Sequence, residues 1–239
     1  MIFWRPALAV VLIYVLAAIL PALFLMRYIY RQDRVEREPM GLLARLILAG
    51  VVSALLASIV EGFAQGILDA LVQSRGDLYY ILLAFVVVGA VEEGTKFLLL
   101  KSRTWRNYNF NYRFDGIVYA VFVSLGFAAY ENILYVFQYG LSVALPRAVM
   151  AVPGHMAFAV FMGVFYGRAK LCENWGDGVG CRANLWAGYL LAVALHGFYD
   201  ACAMIGSGFS TALFVAFVIA MYFIVIRVIR KESRTDHPV

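Results

Sequence analysis

The chain has 239 residues, 64% of them in the hydrophobic set and only 15% charged, against an apolar share of about 45–50% in soluble domains. A soluble fold cannot hide that much apolar surface, and at roughly 20 residues per span the length accommodates about seven transmembrane helices with no room for a separate soluble domain. The net charge of +5, from 20 basic and 15 acidic residues, falls between and after the apolar segments rather than along one stripe, which reports membrane orientation and excludes nucleic-acid binding.

The expected fold is all-α, a polytopic transmembrane helix bundle forming a single integral membrane domain over residues 1–239. The first apolar run, Pro6 to Met26, exceeds a signal-peptide core and lacks a small-x-small cleavage site before the Arg-rich stretch, so it reads as a retained helix over about 5–28. The second, over about 42–68, carries Arg45 near its start and Glu61 and Asp69 toward its end. Its embedded portion is therefore expected over Leu46 to Val60, with an interfacial continuation. Further spans follow at about 78–100, 115–138, 147–169, 185–204 and 209–229, each helical because backbone polar groups in lipid must be satisfied within the segment.

Arg31, Arg34 and Arg37 lie in the first connection, Lys101, Arg103, Arg106 and Arg113 in the third, Lys170 and Arg182 in the fifth, and Arg230, Lys231 and Arg234 in the tail. The second, fourth and sixth connections are poor in such residues. The positive-inside rule then places the odd connections and the C-terminus in the cytoplasm and the N-terminus outside. The tail, residues 230–239, is expected to be disordered. Gly163 and Gly167 form a GxxxG that reads as internal packing in preference to a dimer contact. Trp4, Trp105, Trp175 and Trp186 fall at span ends and read as interfacial anchors. Cys172 and Cys181 share the fifth connection and read as reduced thiols.

An ionisable group at membrane depth costs about 2.5–3.5 kcal/mol on insertion scales, so each asks for a partner, a water-filled cavity or a job. Glu92, Glu93 and Lys96 interrupt the third span, Glu131 and Asn132 the fourth, His155 the fifth, and His196 and Asp200 the sixth. Lys96 is three residues from Glu93 and four from Glu92, so it can neutralise either, while the two glutamates diverge by about 100° around the helix. One acid is then paired and the other free to accept and return protons. His196 and Asp200 share a helix face, so Asp200 can hold the imidazole and set its tautomer. Phe127, Tyr130, Tyr135 and Phe137 surround Glu131 at helical spacing and read as packing or cavity wall.

These pieces, EExxK as Glu92 to Lys96, FxxxE as Phe127 to Glu131, His155 early in the next span, and HxxxD as His196 to Asp200, resemble the signature of the PrsW family of intramembrane proteases, distant relatives of the CAAX prenyl proteases. The motifs stand in order on consecutive helices within a core of about 78–205. The resemblance implies a multi-pass peptidase of the bacterial cytoplasmic membrane that cuts a membrane-tethered protein, such as an anti-sigma factor. Glu92 or Glu93 would be the general base, and Lys96 would hold the other glutamate charged. His196 would stabilise the oxyanion or shuttle the proton, with Asp200 orienting it, and Glu131 and His155 would complete the polar cavity.

A metal-dependent variant uses His155, His196 and either Glu131 or Asp200 as a three-ligand set for Zn2+, with water in the fourth position. The HExxH helix of many zinc peptidases is absent, so metal and glutamate mechanisms both stay open. Two alternatives remain. A proton-coupled transporter also uses intramembrane carboxylates and histidines, but it would ask for matched halves. A CAAX-type prenyl protease would show EExxxR and FxxxH where this chain has EExxK and FxxxE.

Overall fold

The structure is a computed structural model that describes the backbone of residues 4–239 and the side chains of residues 8–239. Among the described residues the chain forms seven helices: α1 (Trp4–Gln32), α2 (Met40–Leu71), α3 (residues 77–104), α4 (Asp115–Tyr139), α5 (Leu141–Asn174), α6 (Gly178–Ile205) and α7 (Gly208–Arg234). All but α3 are long and apolar enough to cross a membrane. The exception carries Glu92, Glu93 and Lys96 and is interrupted midway. The side chain of Trp4 lies outside the described residues, while Trp175 is exposed at the end of α5 and Trp186 is exposed inside α6, in its third turn.

Helix α4 is the axis of the bundle. Its residues from Asp115 to Ala128 are all buried, as a helix that is apolar all round requires. Helices α2 and α5 flank it at close range. A Cβ on Gly163 would lie 2.5 Å from the Ile117 Cα, and one on Gly167 would lie 2.3 Å from the Arg113 carbonyl oxygen. The GxxxG pair is thus an internal contact between α5 and the start of α4. The large apolar side chains of α1, α2 and α7 point outward, the arrangement that a lipid surround permits.

Two helices change gauge just before the residues of interest. In α3 an α-helical turn (Asp77–Leu82) passes into a π segment (Leu83–Gly89) and back to α-helix (Ala90–Thr104). Here α6 presents Gly197, whose added Cβ would fall 2.5 Å from the Phe85 ring, so the widened turn and α6 fit only without a side chain. In α5 a second π segment (Arg147–Ala151) precedes the α-helix Val152–Asn174. Pro153 has no N–H to bond the carbonyl of Val149, four residues earlier, and the Tyr222 hydroxyl of α7 donates to that carbonyl instead. Single-turn π segments of this kind are frequent at functional sites.

Helix α2 is continuous through Leu71, with no break after Val60. The tail departs from its expected disorder. Helix α7 runs to Arg234, and the residues beyond dock on the connection before α4: Arg113 N–H donates to the His237 carbonyl (3.1 Å), Val239 N–H to the Asn111 carbonyl (2.9 Å) and Phe114 N–H to Asp236 Oδ1 (2.9 Å). Polar composition suggested a solvated end, but unpaired backbone donors ahead of α4 supply a partner for it. Cys172, Cys181 and Cys202 are free thiols. The first two lie within α5 and α6 rather than in the connection between them.

Candidate active site and metal centre

The charged residues expected at membrane depth converge. Glu92, Glu93 and Lys96 of α3 are buried, at 5%, 0% and 2% exposure, which no solvated pair would be. Lys96 Nζ lies 3.0 Å from Glu92 Oε2, 2.8 Å from Glu93 Oε1 and 3.2 Å from His155 Nδ1, and 3.9 Å over the Phe127 ring. Its three N–H groups are thereby used. The expectation that one glutamate is paired and the other free is corrected: the long lysine stem brings one ammonium between both carboxylates, which i+3 and i+4 spacing allow together.

Each histidine is held from one side by a carboxylate. His155 Nε2 lies 3.0 Å from Glu131 Oε2. Because its Nδ1 faces an ammonium, that nitrogen accepts and the Nε2–H donates to Glu131. His196 Nε2 lies 3.2 Å from Asp200 Oδ2, the contact expected from their four-residue spacing, and its Nδ1 lies 2.9 Å from Glu93 Oε1. The two rings meet edge to face at 5.3 Å between centroids, and Phe158 stacks on His196 at 4.8 Å.

Glu131 is clamped in turn. Arg147 Nη2 donates to its Oε2 (2.7 Å) and Arg147 Nε to Asn132 Oδ1 (2.7 Å), while Asn132 Nδ2 reaches across to the Ala18 carbonyl of α1 (2.8 Å). The guanidinium lies 3.8 Å over Tyr135. Arg147 escaped sequence reasoning. Its signal was a basic residue at the very start of the fifth expected span, directly after Pro146. Glu61 was read only as a span boundary, yet its carboxylate turns into the site, with Oε1 buried and unpartnered.

A cavity of about 600 Å³ opens beside these groups, lined by the polar side chains of Glu61, Glu92, Glu131, Arg147, His155, His196 and Asp200 together with Tyr199, Met204 and Phe214. Glu92 faces it. Glu93 does not line it and sits behind Lys96 and His196. Donor atoms of Glu92, Glu93, His155 and His196 all lie within 4.8 Å of one another. Glu131, expected among metal ligands, and Asp200 lie outside this group, on the far nitrogens of the two imidazoles.

This buried set of two carboxylates and two imidazoles could hold a metal ion. A family profile described as PrsW family intramembrane metalloprotease matches residues 38–228. Proteins named Protease PrsW are similar along most of the chain. That of Clostridioides difficile (strain 630) is 33% identical over 211 residues, 87% of this chain and 86% of the relative. That of Geobacillus kaustophilus (strain HTA426) is 33% identical, covering 77% and 76%, and that of Bacillus subtilis (strain 168) is 33% identical, covering 77% and 79%. No solved structure matches.

Proposed function

We propose, from the premise that the chain belongs to the PrsW family of intramembrane metalloproteases and is a multi-pass peptidase, that it hydrolyses a peptide bond of a membrane-tethered protein in the cavity beside Glu92. An anti-sigma-factor-like substrate and the bacterial cytoplasmic membrane are carried over by family analogy. The observation that carries the reading is the pair of carboxylate-held histidines, each turning its other nitrogen toward the Glu92–Glu93–Lys96 group at the cavity wall. Metal-ligating histidines are typically held in this way.

The donor types fit a zinc-like ion, and because Lys96 Nζ bonds Glu93 Oε1 and His155 Nδ1, an ion there would have to displace the ammonium from both atoms. Glu93, His155 and His196 would hold it, a two-histidine, one-glutamate set, with Asp200 and Glu131 fixing the rings. Glu93 takes the place first given to Glu131 because Glu131 is committed to Arg147 and to the far side of His155. A bound ion there supplies Lewis-acid polarisation of the scissile carbonyl and a more acidic water.

The residues themselves do the rest. Glu92, the glutamate that faces the cavity, takes the proton of the attacking water and returns it to the leaving amine, a contribution of about 10²–10⁴ in rate. Lys96 offsets the paired carboxylates and would keep its bond to Glu92 when an ion takes Glu93. Arg147 holds Glu131 and keeps it aimed at His155.

Apart from Glu61 of α2 and Val88 and Glu92 of α3, the cavity is built from the C-terminal parts of α4 and α6 and the N-terminal parts of α5 and α7. It therefore opens at the end of the bundle whose connections are poor in basic residues. With the basic connections and the C-terminus cytoplasmic, the cleaved bond lies in the outer half of the membrane.

The test is cleavage of a single-span tethered substrate by purified protein, with and without a chelator, alongside elemental analysis. About one metal per chain, lost in His196→Ala and retained in an inactive Glu92→Gln, is the expected result. A metal-free preparation with full activity overturns the metal assignment, and full activity of Glu92→Gln overturns the base.

A further inference from the structure

A second cavity, of about 490 Å³, lies between α3 and α6, away from the Glu92 group and at the end of the bundle with the basic connections. From α3 it takes Gly94, Phe97, Leu98 and Lys101, and from α6 Arg182, Leu185, Trp186 and Tyr189. Both sets follow i, i+3, i+4, i+7 spacing, so each is one face of its helix over about 10 Å. The helices run antiparallel: Gly197 meets the Phe85 ring, and the Tyr189 hydroxyl donates to the Ala90 carbonyl (3.0 Å). Beyond Tyr189 they enclose a groove with both cations, Lys101 and Arg182, at its basic end.

The rest of the groove is apolar and open. Phe97 and Trp186 each lie 6.0 Å from Tyr189 between ring centroids and with it form an aromatic wall, while Leu98 and Trp186 remain 65% and 62% exposed. Among the described residues neither Lys101 nor Arg182 forms an ion pair. Glu173, whose field reaches Lys101, is bonded by Lys170 Nζ (2.8 Å) and the Trp105 indole N–H (2.8 Å). Asp177 caps the start of α6 by accepting from the Gly180 N–H (2.8 Å).

We propose that this groove binds one anionic phospholipid of the phosphatidylglycerol type, from the leaflet on the basic side of the bundle. Its phosphate sits between Lys101 and Arg182, and an acyl chain lies along Phe97, Leu98, Leu185 and Trp186. Arginine presents a planar fork of donors to phosphate oxygens and lysine a point charge, and basic pockets between membrane helices on the cytoplasmic side suit anionic headgroups. The segregation of charge selects the occupant. A free phosphate would leave the aromatic wall bare, and an apolar substrate helix would leave two cations without a countercharge. This inference does not depend on the protease reading.

The experiment is tryptophan fluorescence of the full-length protein in phosphatidylcholine vesicles that contain phosphatidylglycerol with brominated acyl chains, which quench a ring they touch. The difference between the native protein and Trp186→Phe isolates the ring on the groove wall. At about 10 mol% brominated lipid, a preference of about 30-fold (about 2 kcal/mol) fills about three quarters of the grooves, against about a tenth with no preference. Brominated phosphatidylcholine at the same fraction should quench at that lower level. Lys101→Gln with Arg182→Gln should bring phosphatidylglycerol down to it. Arg34→Gln with Arg106→Gln, which removes the same charge from exposed positions outside the groove, should not. Equal quenching by the two lipids, or an equal loss in both double variants, overturns the proposal. So does a Trp186 signal that follows an added single-span substrate, or the protein density in the vesicle, instead of lipid composition: those outcomes give the groove to a substrate helix or to a second copy. Should the Lys101, Arg182 variant not insert, the comparison of the two brominated lipids on the native protein decides alone.

Discussion

The two ends of α4 carry acids that solve the same problem differently. Near its C-terminal end, Glu131 joins a network in which Arg147, Lys96, His155 and His196 answer the carboxylates of Glu92, Glu93 and Asp200. Sixteen residues away, or about 24 Å along the helix, Asp115 sits with Asp33 and Glu38, and none of them has a basic partner. A buried charge persists where its countercharge is built into the chain, and elsewhere must take a proton from the medium. The first region is therefore preorganised for chemistry, and the second is responsive to its surroundings.

That contrast can be broken at several points. The largest effect is expected from Glu92→Gln, which should lower the cleavage rate of a tethered reporter by about 10²–10⁴ while leaving Tm close to native, because Lys96 still has Glu93. A variant that loses Tm and activity together would make Glu92 a structural member of the pair. Next is Arg147→Ala, which strands Glu131 and should cost about 3 kcal/mol, the low end for a broken buried pair, since the Arg147 side chain keeps 15% exposure. Chemical denaturation measures the loss. Adding Glu131→Gln to Arg147→Ala should restore much of it, and no recovery would show that the arginine acts through packing on Tyr135.

A smaller effect separates the responsive end. Burial raises Asp33 from 3.8 to about 6 and Glu38 from 4.5 to about 7, so between those values the folded protein holds more protons than the unfolded chain. Stability is then full below about pH 4 and falls as pH rises through 6 to 7. Tm measured from pH 5 to 8 should decline, and Asp33→Asn with Glu38→Gln should flatten the profile. A flat native profile would remove the contrast between the two ends. The smallest change is expected from deleting residues 236–239. It removes the bonds to Asn111, Arg113 and Phe114 at a cost of about 1–3 kcal/mol, and by admitting water it should shallow the same pH profile.

Much of the fold and the active cluster was legible in advance. Each apolar run falls within one helix, because in lipid a segment must satisfy its own backbone, although α5 and α6 begin six and seven residues before the expected starts. The motif residues Glu92, Glu93, Lys96, Glu131, His155, His196 and Asp200 stood out because charge at that depth is expensive. Arg147 did not, since a basic residue at a span end reads as ordinary. Nor did the acids at Asp33, Glu38 and Asp115, which lie at predicted connections where carboxylates are unremarkable until the tertiary fold buries them. The ordered tail was missed for the same reason: its partners, the N–H groups before α4, are more than a hundred residues away in the chain.

By itself, then, the sequence determined a helical membrane bundle and which side chains had to find one another inside it, because hydropathy and the cost of buried charge are local properties. Only the tertiary structure decided which glutamate faces the cavity, that one lysine serves both, that Glu131 of α4 holds His155 of α5 while Glu93 of α3 meets His196 of α6, and that a second acid group stands without a basic partner at the far end. Those are distances between helices. They follow from where the π turns of α3 and α5 and the glycine contacts of α5 and α6 let the backbones approach.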